Sequence, residues 1–327
     1  MIYMWAGFLL FVFAILAVDL GVFNRHHHQP TGREAIAFTA ATAVLALIFA
    51  AFVFQAYEHH WQGLGLRPDA IDGRFDDGRT ALVKFLTGYI VELSLSMDNV
   101  FVIALIFGHL RVPAKYQHRV LFWGILGALA MRGSMIAGGT ALVARYHWVM
   151  YLFGAFLVVT SAKMLLSKGK DASPEERWIV RWLNRHFRVT KEFHGEHFSI
   201  VREGRRWITP LAVALILVET TDLVFAVDSI PAIFAITTDP FLVFTSNVFA
   251  ILGLRSLYFG LAGLIERFRY LNVSLAIILG LVGAKMLAPS AVDQWFGESQ
   301  NMVMLGTVVA ILLAGAGFSA MGERSRR

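Results

Sequence analysis

Carboxylate, hydroxyl and amide side chains interrupt two long apolar segments of this chain, and the two interruptions resemble each other. The first is Glu92-Leu-Ser-Leu-Ser-Met-Asp98-Asn99, and the second is Glu219-Thr-Thr-Asp222-Leu-Val-Phe-Ala-Val-Asp228-Ser229. A charged side chain at the centre of a bilayer costs roughly 3 kcal/mol on insertion scales. Five such acids without partners would cost on the order of 12 kcal/mol, which is comparable to the net stability of a whole domain. We therefore interpret the two stretches as halves of one ion site.

The candidate ligands in these stretches are all oxygen atoms, from carboxylates, an amide and hydroxyls. Such ligands suit hard divalent ions such as Mn²⁺, Mg²⁺ or Ca²⁺ better than Cu⁺ or Zn²⁺. The candidate metal ligands are Glu92, Asp98, Asn99, Glu219, Asp222 and Asp228. The hydroxyls that would support them belong to Ser96, Thr220 and Ser229.

Helical spacing determines which of these side chains face the same way. Glu92, Ser96 and Asn99 share one face of a helix, because steps of four and seven residues return to the same side. Asp98 lies roughly 120° away from Glu92, so it belongs to a second face unless the helix unwinds. The second copy repeats this pattern, and Pro231 favours a break there because proline removes a backbone hydrogen bond. Unwound carbonyls near the midplane of a membrane are typical cation ligands.

Two arginines in the middle of apolar segments, Arg132 and Arg255, are placed to pair with some of the acids. If arginine neutralised every acid, the cluster would be a static ion-pair network. Five acids face only these two arginines, which leaves about three negative charges, enough for a divalent ion and a proton. Because metal ligation requires the deprotonated carboxylate, metal and protons should compete for such a site.

The composition is that of a polytopic membrane protein. Of the 327 residues 57% are hydrophobic and 16% are charged, and the mean hydropathy is +0.61. Soluble domains are nearer a quarter charged. The chain has no cysteine and no histidine deep in a span, which argues against thiolate chemistry. We therefore expect no haem, flavin or iron–sulfur cluster.

Hydropathy predicts an all-α fold with about nine transmembrane helices. The predicted spans are 3–23, 35–57, 81–108, 119–142, 147–166, 209–236, 241–263, 270–288 and 301–320. About twenty of the 29 lysines and arginines lie in one set of alternate loops, which the positive-inside rule assigns to the cytoplasm. The other set holds only Arg67, Arg74, Arg79 and Arg145. This places the N-terminus outside and the C-terminus in the cytoplasm, and because the basic residues follow topology we expect no nucleic-acid partner.

The acidic stretches belong to an internal repeat. Aligning Asp222 to Asp228 on Glu92 to Asp98 brings 124–132 into register with 247–255, and Ala-Lys-Met-Leu at 162–165 with the same residues at 284–287. Each unit then has three spans, the first with acids and the second with an arginine. Because three is odd, the units at 81–166 and 209–288 should have opposite orientations in the membrane. Inverted repeats with a binding site at their interface are a transporter architecture.

The predicted spans and loops divide the chain into five segments. They are two helices and an outer loop (1–80), the first repeat (81–166), a basic cytoplasmic loop (167–208), the second repeat (209–288), and a last helix with a basic tail (289–327). The cytoplasmic loop contains Ser-Pro-Glu-Glu at 173–176, which is typical of a helix start and predicts a basic amphipathic helix on the inner leaflet. A hairpin with its turn at Glu203-Gly204 should follow. The outer loop (58–80) is acidic; one interpretation is that it concentrates cations near the membrane, but we favour solvated loop charge. Lys84, Lys163 and Lys285 lie near span ends and should snorkel.

At these residues the chain resembles the TerC family, and within it the Alx-type branch. The resemblance is carried by Glu92–Val102, by Glu219–Ile236 and by the Thr-Thr-Asp-Pro-Phe that follows, and it covers about 80–290. It implies a bacterial inner-membrane protein of the LysE-like transporter superfamily, with links to Mn²⁺ export, alkaline-pH induction and, historically, tellurium resistance. It also implies that the six candidate ligands handle metal. Because tellurite is an oxyanion that an acidic site would repel, we do not expect direct tellurite transport.

The hypothesis that follows is a transporter of divalent metal ions, not an enzyme. It would export Mn²⁺ in exchange for protons at a midplane carboxylate site, with the lipid bilayer, the cation and protons as its partners. One alternative is a non-transport membrane protein, either a redox modulator, which the lack of cysteine disfavours, or an accessory subunit. Another is an amino-acid exporter, for which Arg132 and Arg255 would have to bind the carboxylate.

Overall fold

Long helices and one short hairpin form the protein, whose structure is a computed structural model. It describes residues 2–23, 32–166, 182, 185, 187–190, 192–202, 204–261 and 271–324. The helices are α1 (Ile2–Phe23), α2 (Gly32–Glu58), α3 (Gly78–His109), α4 (Ala114–Arg145), α5 (Trp148–Leu166), α6 (Pro210–Phe234), α7 (Pro240–Leu261), α8 (Leu271–Leu287), α9 (Pro289–Phe296) and α10 (Gln300–Arg324). Strands β1 (Ser199–Arg202) and β2 (Arg205–Ile208) pair antiparallel. Gly204 has a φ of +69° in their turn, so the predicted hairpin is confirmed.

The number of spans differs from the prediction. Among the described residues seven helices are long and apolar enough to cross a membrane, namely α2 to α7 and α10. Helices α8 and α9 meet at a bend of 97° and together count as an eighth candidate. The part of α1 whose side chains are described, Ile2–Val18, is apolar but shorter than these candidates. The chain is therefore a mostly helical, multi-pass membrane protein, and the predicted count of nine is not confirmed. The predicted amphipathic helix near Ser173 lies outside the described residues.

Both helices that carry the acids begin at a side-chain cap. Asp77 accepts a hydrogen bond of 2.8 Å from the backbone N–H of Thr80 at the start of α3, which lowers the pKa of Asp77. Thr209 accepts from the N–H of Ala212 at the start of α6. Both helices then run unbroken through their acids, α6 passing Pro231 to end at Phe234. The unwound alternative is therefore wrong, because Pro231 lies so close to the end of α6 that the bond it removes is lost without breaking the helix.

Helices α5 and α8 approach each other closely at two glycines. A Cβ atom built on Gly154 would lie 3.0 Å from the carbonyl oxygen of Gly283, and one on Gly283 would lie 2.8 Å from that of Gly154. Further along, the Ser161 hydroxyl donates to the carbonyl of Ala276 at 2.7 Å. Small residues therefore bring the two backbones into direct contact, as in many membrane helix pairs.

The acidic outer loop is buried in part and not solvated as predicted. The Lys84 ammonium lies 2.8 Å from Asp69, 3.0 Å from Asp72 and 2.7 Å from Asp76, and all four side chains are 0–3% exposed. Lys84 therefore does not snorkel. It neutralises carboxylates that the loop brings over the end of the helices, because buried charges require partners. We call these four residues the outer ion cluster.

Asp69 connects this cluster to the turn between α6 and α7. Its carboxylate accepts hydrogen bonds from the hydroxyls of Thr237 at 2.6 Å and Thr238 at 2.7 Å, and from the N–H of Thr238 at 3.1 Å. Burial by itself would raise the pKa of Asp69, but Lys84 and these hydrogen bonds hold it below its ordinary value. For Asp76 burial prevails over Lys84 and raises the pKa to about 7.

The raised pKa of Asp76 predicts a pH dependence of stability. A group whose folded pKa lies above its unfolded value contributes stability that is complete below the unfolded pKa and is lost as pH rises through the folded pKa. The free energy of unfolding should therefore fall between about pH 4 and pH 7, by at most roughly 1.4 kcal/mol per unit. The Asp76→Asn variant should lack this decline. Melting temperatures in detergent across pH 4–8 measure it, and parallel curves for the two proteins would contradict the assignment.

Candidate ion site

The two acidic stretches meet because α3 and α6 pack side by side near the middle of the molecule. Glu92 and Asp222 lie near the midpoints of α3 and α6, and Arg132 lies near the midpoint of α4. The pairing is antiparallel: Glu92 shares a guanidinium nitrogen with Ser229, whereas Asn99 bonds to Asp222. The start of each acidic motif therefore lies beside the end of the other.

Arg132 occupies the centre of this arrangement. Its guanidinium pairs with the carboxylate of Glu92 and contacts Asp222 twice, through Nη2 at 2.9 Å and Nε at 3.2 Å. Bidentate contact of this kind is a strong, charge-assisted form of hydrogen bonding. The side chains of Arg132 and Glu92 are 1% and 0% exposed, and that of Asp222 is 12% exposed. One cation therefore serves two carboxylates in the protein interior.

Polar groups from three helices surround the guanidinium. Its Nη1 lies 3.4 Å from the Ser229 hydroxyl and 3.4 Å from Oδ1 of Asn247, on α7. Asn99 donates from Nδ2 to Asp222 at 3.3 Å. Asn247 was not among the candidates predicted from the sequence, although an amide inside a predicted span of the second repeat was a signal that could have identified it.

Several oxygens of the candidate ligands are buried without a hydrogen bond in the described part of the chain. They are Glu92 Oε2, Ser96 Oγ, Asn99 Oδ1 and Glu219 Oε2. Three of the four lie on the face of α3 that the helical spacing predicts, and Glu92, Ser96 and Asn99 are all buried. Buried polar atoms are nearly always satisfied, so such atoms point to a water or an ion between them.

Glu219 lies one turn before Asp222 and packs against the backbone of α4. A Cβ atom on Gly127 would overlap the Glu219 carboxylate, so only glycine leaves space for it there. Thr220, its neighbour, donates its hydroxyl to the carbonyl of Ile216 within the same helix at 2.7 Å. Glu219 therefore presents a carboxylate at the α4–α6 interface, and Thr220 has its donor engaged.

The two remaining acids lie on the second face that the spacing predicts. Asp228 accepts a hydrogen bond of 3.5 Å from Thr160 on α5, a contact that the sequence did not indicate. Asp98 is partly buried on α3, six residues and about 9 Å along the helix from Glu92. The side chain of Arg255 lies outside the described residues. In this arrangement the described residues contain no group of three or more histidine, aspartate or glutamate side chains close enough to hold a metal ion.

Comparison with known proteins identifies relatives over nearly the whole chain. The model of the integral membrane protein TerC family matches residues 77–326. An uncharacterized membrane protein of Myxococcus xanthus is 50% identical over 283 residues, which cover 86% of this chain and 82% of that protein. A protein of Escherichia coli K12, provisionally named membrane-bound redox modulator Alx, is 44% identical over 312 residues, covering 95% of this chain and 92% of its own. No solved structure matches.

Proposed function

Because this chain belongs to the TerC family of integral membrane proteins, we propose that it transports a divalent metal ion, with Mn²⁺ export in exchange for protons as the specific activity. It would do so in a bacterial inner membrane, with its N-terminus outside. The observation that carries the proposal is a set of buried oxygens on one face of α3, Glu92 Oε2, Ser96 Oγ and Asn99 Oδ1, which accept no hydrogen bond from any described residue. They lie beside a centre in which two carboxylates share one arginine.

The charge balance supports a mobile cation. Arg132 pairs with both Glu92 and Asp222, which leaves one negative charge at the centre. Neither Glu219 nor Asp228 forms an ion pair within 4.0 Å among the described residues. Both side chains are partly buried, and a charge withdrawn from water without a paired cation is costly, so a cation or a proton from solution would stabilise these acids. Carboxylate and amide oxygens are the ligands that Mn²⁺ prefers.

The packing of helices supports the inverted repeat on which alternating access would depend. If α3–α5 and α6–α8 are related by a two-fold axis, a contact between α3 and α7 requires one between α4 and α6. Both contacts are present, as are the equivalent contacts of α5 with α6 and of α3 with α8. The antiparallel pairing of the two acidic motifs has the same symmetry. The proposed site then lies where inverted-repeat transporters bind their substrates, at the interface of the units.

Arg132 defines how the site would load. In the described arrangement its guanidinium occupies the position of a cation between Glu92 and Asp222. A metal ion that binds these carboxylates must displace it, and Ser229 and Asn247, each 3.4 Å away, offer it acceptors when it moves. Arg132 would thus hold the two carboxylates together between rounds of metal binding. Protonation of the same carboxylates weakens metal binding, which couples metal release to proton uptake.

The name of the Escherichia coli relative suggests redox modulation as another function. The present chain contains no cysteine, so thiol–disulfide exchange is not open to it. Metal transport needs no such group.

Purified protein in liposomes tests the proposal. With a pH-sensitive dye inside, addition of Mn²⁺ should cause proton movement with the native protein. Asp228→Asn and Glu219→Gln should reduce the initial rate by at least about tenfold, as expected when a ligand or its partner is lost. Glu196→Gln removes a partly exposed acid that pairs with Arg119 near the start of α4, away from the site, and serves as the control. Absence of proton movement with native protein, or equal rates in all variants, would disprove Mn²⁺/proton exchange.

A further inference from the structure

A cavity of about 370 Å³ opens at the end of the bundle that carries the outer loop. Its wall includes Met150 of α5, Ala235 at the end of α6, Lys285 of α8, Asp72 of the outer loop and Asp293 of α9. In the expected orientation this end faces the outside. The cavity therefore opens toward the solvent above the α5–α6 interface, and no part of the candidate ion site lines it.

The α5–α6 interface leads from this cavity to the ion site in a fixed order. Met150 and Ala235 line the cavity. Next, the rings of Phe153 and Phe234 stack with centroids 6.2 Å apart and planes within 8°. Beyond them Thr160 contacts Asp228 at 3.5 Å, about 10 Å further along the helices.

The two rings of this stack are held differently. Phe234 is fully buried, and a Cβ atom on Gly139 would lie 2.5 Å from its ring, so the ring packs directly on the backbone of α4. Phe153 is only partly buried. Phe234 is therefore the fixed side of the stack and Phe153 the side with room to rotate.

We propose that the cavity is the outer mouth of the cation path and that the Phe153–Phe234 stack is its gate. The inference rests on the proposed function and adds to it the path of the cation between the outside and the ion site. An apolar constriction stops ions by excluding water, because an ion cannot shed its hydration shell without polar groups to replace it. Rotation of Phe153 would connect the cavity to Asp228, the first carboxylate below the stack on this interface.

The lining of the cavity would hold a hydrated divalent cation only weakly. Asp72 and Asp293 supply carboxylates, but each is already paired, with Lys84 at 3.0 Å and with Arg74 at 2.9 Å. Lys285 is 8% exposed and makes no hydrogen bond in the described part of the chain. Its positive charge lowers the affinity for a cation, and a conducting path must bind its ion weakly enough to release it.

The absence of cysteine makes the gate directly testable. Single-cysteine variants Met150→Cys and Thr160→Cys are treated from the outer side of vesicles with a membrane-impermeant cationic methanethiosulfonate. The Met150→Cys variant should react quickly and the Thr160→Cys variant slowly. Adding Phe153→Ala to Thr160→Cys should accelerate labelling about tenfold, the change expected from losing one ring pair. Phe156→Ala removes a more exposed ring of the same helix and should leave the rate unchanged.

Two further measurements distinguish an effect on the gate from misfolding of the variant and from failure of the proposed transport function. Phe153→Leu retains apolar volume without stacking and should give intermediate labelling, which an unfolded variant would not. Added Mn²⁺ should slow labelling of Thr160→Cys with Phe153→Ala. If it does not, the proposed Mn²⁺ activity fails while the gate stands. Equal labelling at positions 150 and 160 in the native background, or equal effects of Phe153→Ala and Phe156→Ala, would overturn the gate.

Discussion

Replacing Lys84 by methionine should destabilise the protein by about 3–5 kcal/mol, the usual penalty for breaking a buried ion pair. The substitution leaves Asp69, Asp72 and Asp76 buried together without the ammonium that lies within 3.0 Å of each of them. The turn between α6 and α7 should loosen as well, because Asp69 also accepts from Thr237. The measurement is thermal unfolding of the purified protein in detergent, followed by tryptophan fluorescence.

Arg79→Met is the matched control for this experiment. Arg79 lies in the same part of α3 but is exposed, so the same loss of a cation should change stability by no more than about 0.5 kcal/mol. If both variants melt at the same temperature as the native protein, Lys84 does not stabilise the outer ion cluster. Adding Asp76→Asn to Lys84→Met should recover part of the loss, because it removes the acid whose pKa burial has already raised.

Replacing Arg132 by methionine should cost a similar amount, about 3–5 kcal/mol, since Glu92 and Asp222 would face each other without a cation. Mn²⁺ should raise the melting temperature of this variant more than that of the native protein. A metal ion at a free concentration of 100 times its dissociation constant adds roughly 2.7 kcal/mol to the free energy of unfolding. In the Arg132→Met variant the metal ion need not displace a guanidinium. Scanning calorimetry with and without Mn²⁺ measures both effects.

Arg145→Met provides the comparison, because Arg145 is an exposed arginine at the end of the same helix. A chelated sample of Arg132→Met establishes the baseline without metal. If Mn²⁺ stabilises native protein and Arg132→Met equally, the metal binds elsewhere and Arg132 does not compete with it. If Glu92→Gln combined with Arg132→Met is no more stable than Arg132→Met alone, uncompensated charge is not the cause of the loss.

The helical face of the ion site was predictable, because periodicity depends only on local geometry. Glu92, Ser96 and Asn99 are four and seven residues apart, and all three are buried as the spacing requires. Whether Arg132 meets Glu92, Asp222 or both was not decidable, since that depends on how three helices pack. The same holds for Thr160 and Asp228, which are 68 residues apart.

The outer loop shows the opposite case, in which a local pattern misled. A run of aspartates between two spans is typical of a solvated loop, and five acids in 58–80 look alike in sequence. What buries three of them is Lys84 on the next helix and Thr237, which is 168 residues from Asp69. Long-range hydrogen bonds of this kind leave no periodic signal in the sequence.

The glycine contact between α5 and α8 limits how this molecule can move. Carbonyl oxygens that approach the opposite glycine so closely keep their contacts when one helix swivels on the other, but lose them all when the helices part. If the two units rock, this line of contact acts as the fulcrum, and the displacement grows with distance from it. A bulky residue at Gly283 would then block this motion without contacting any charged group.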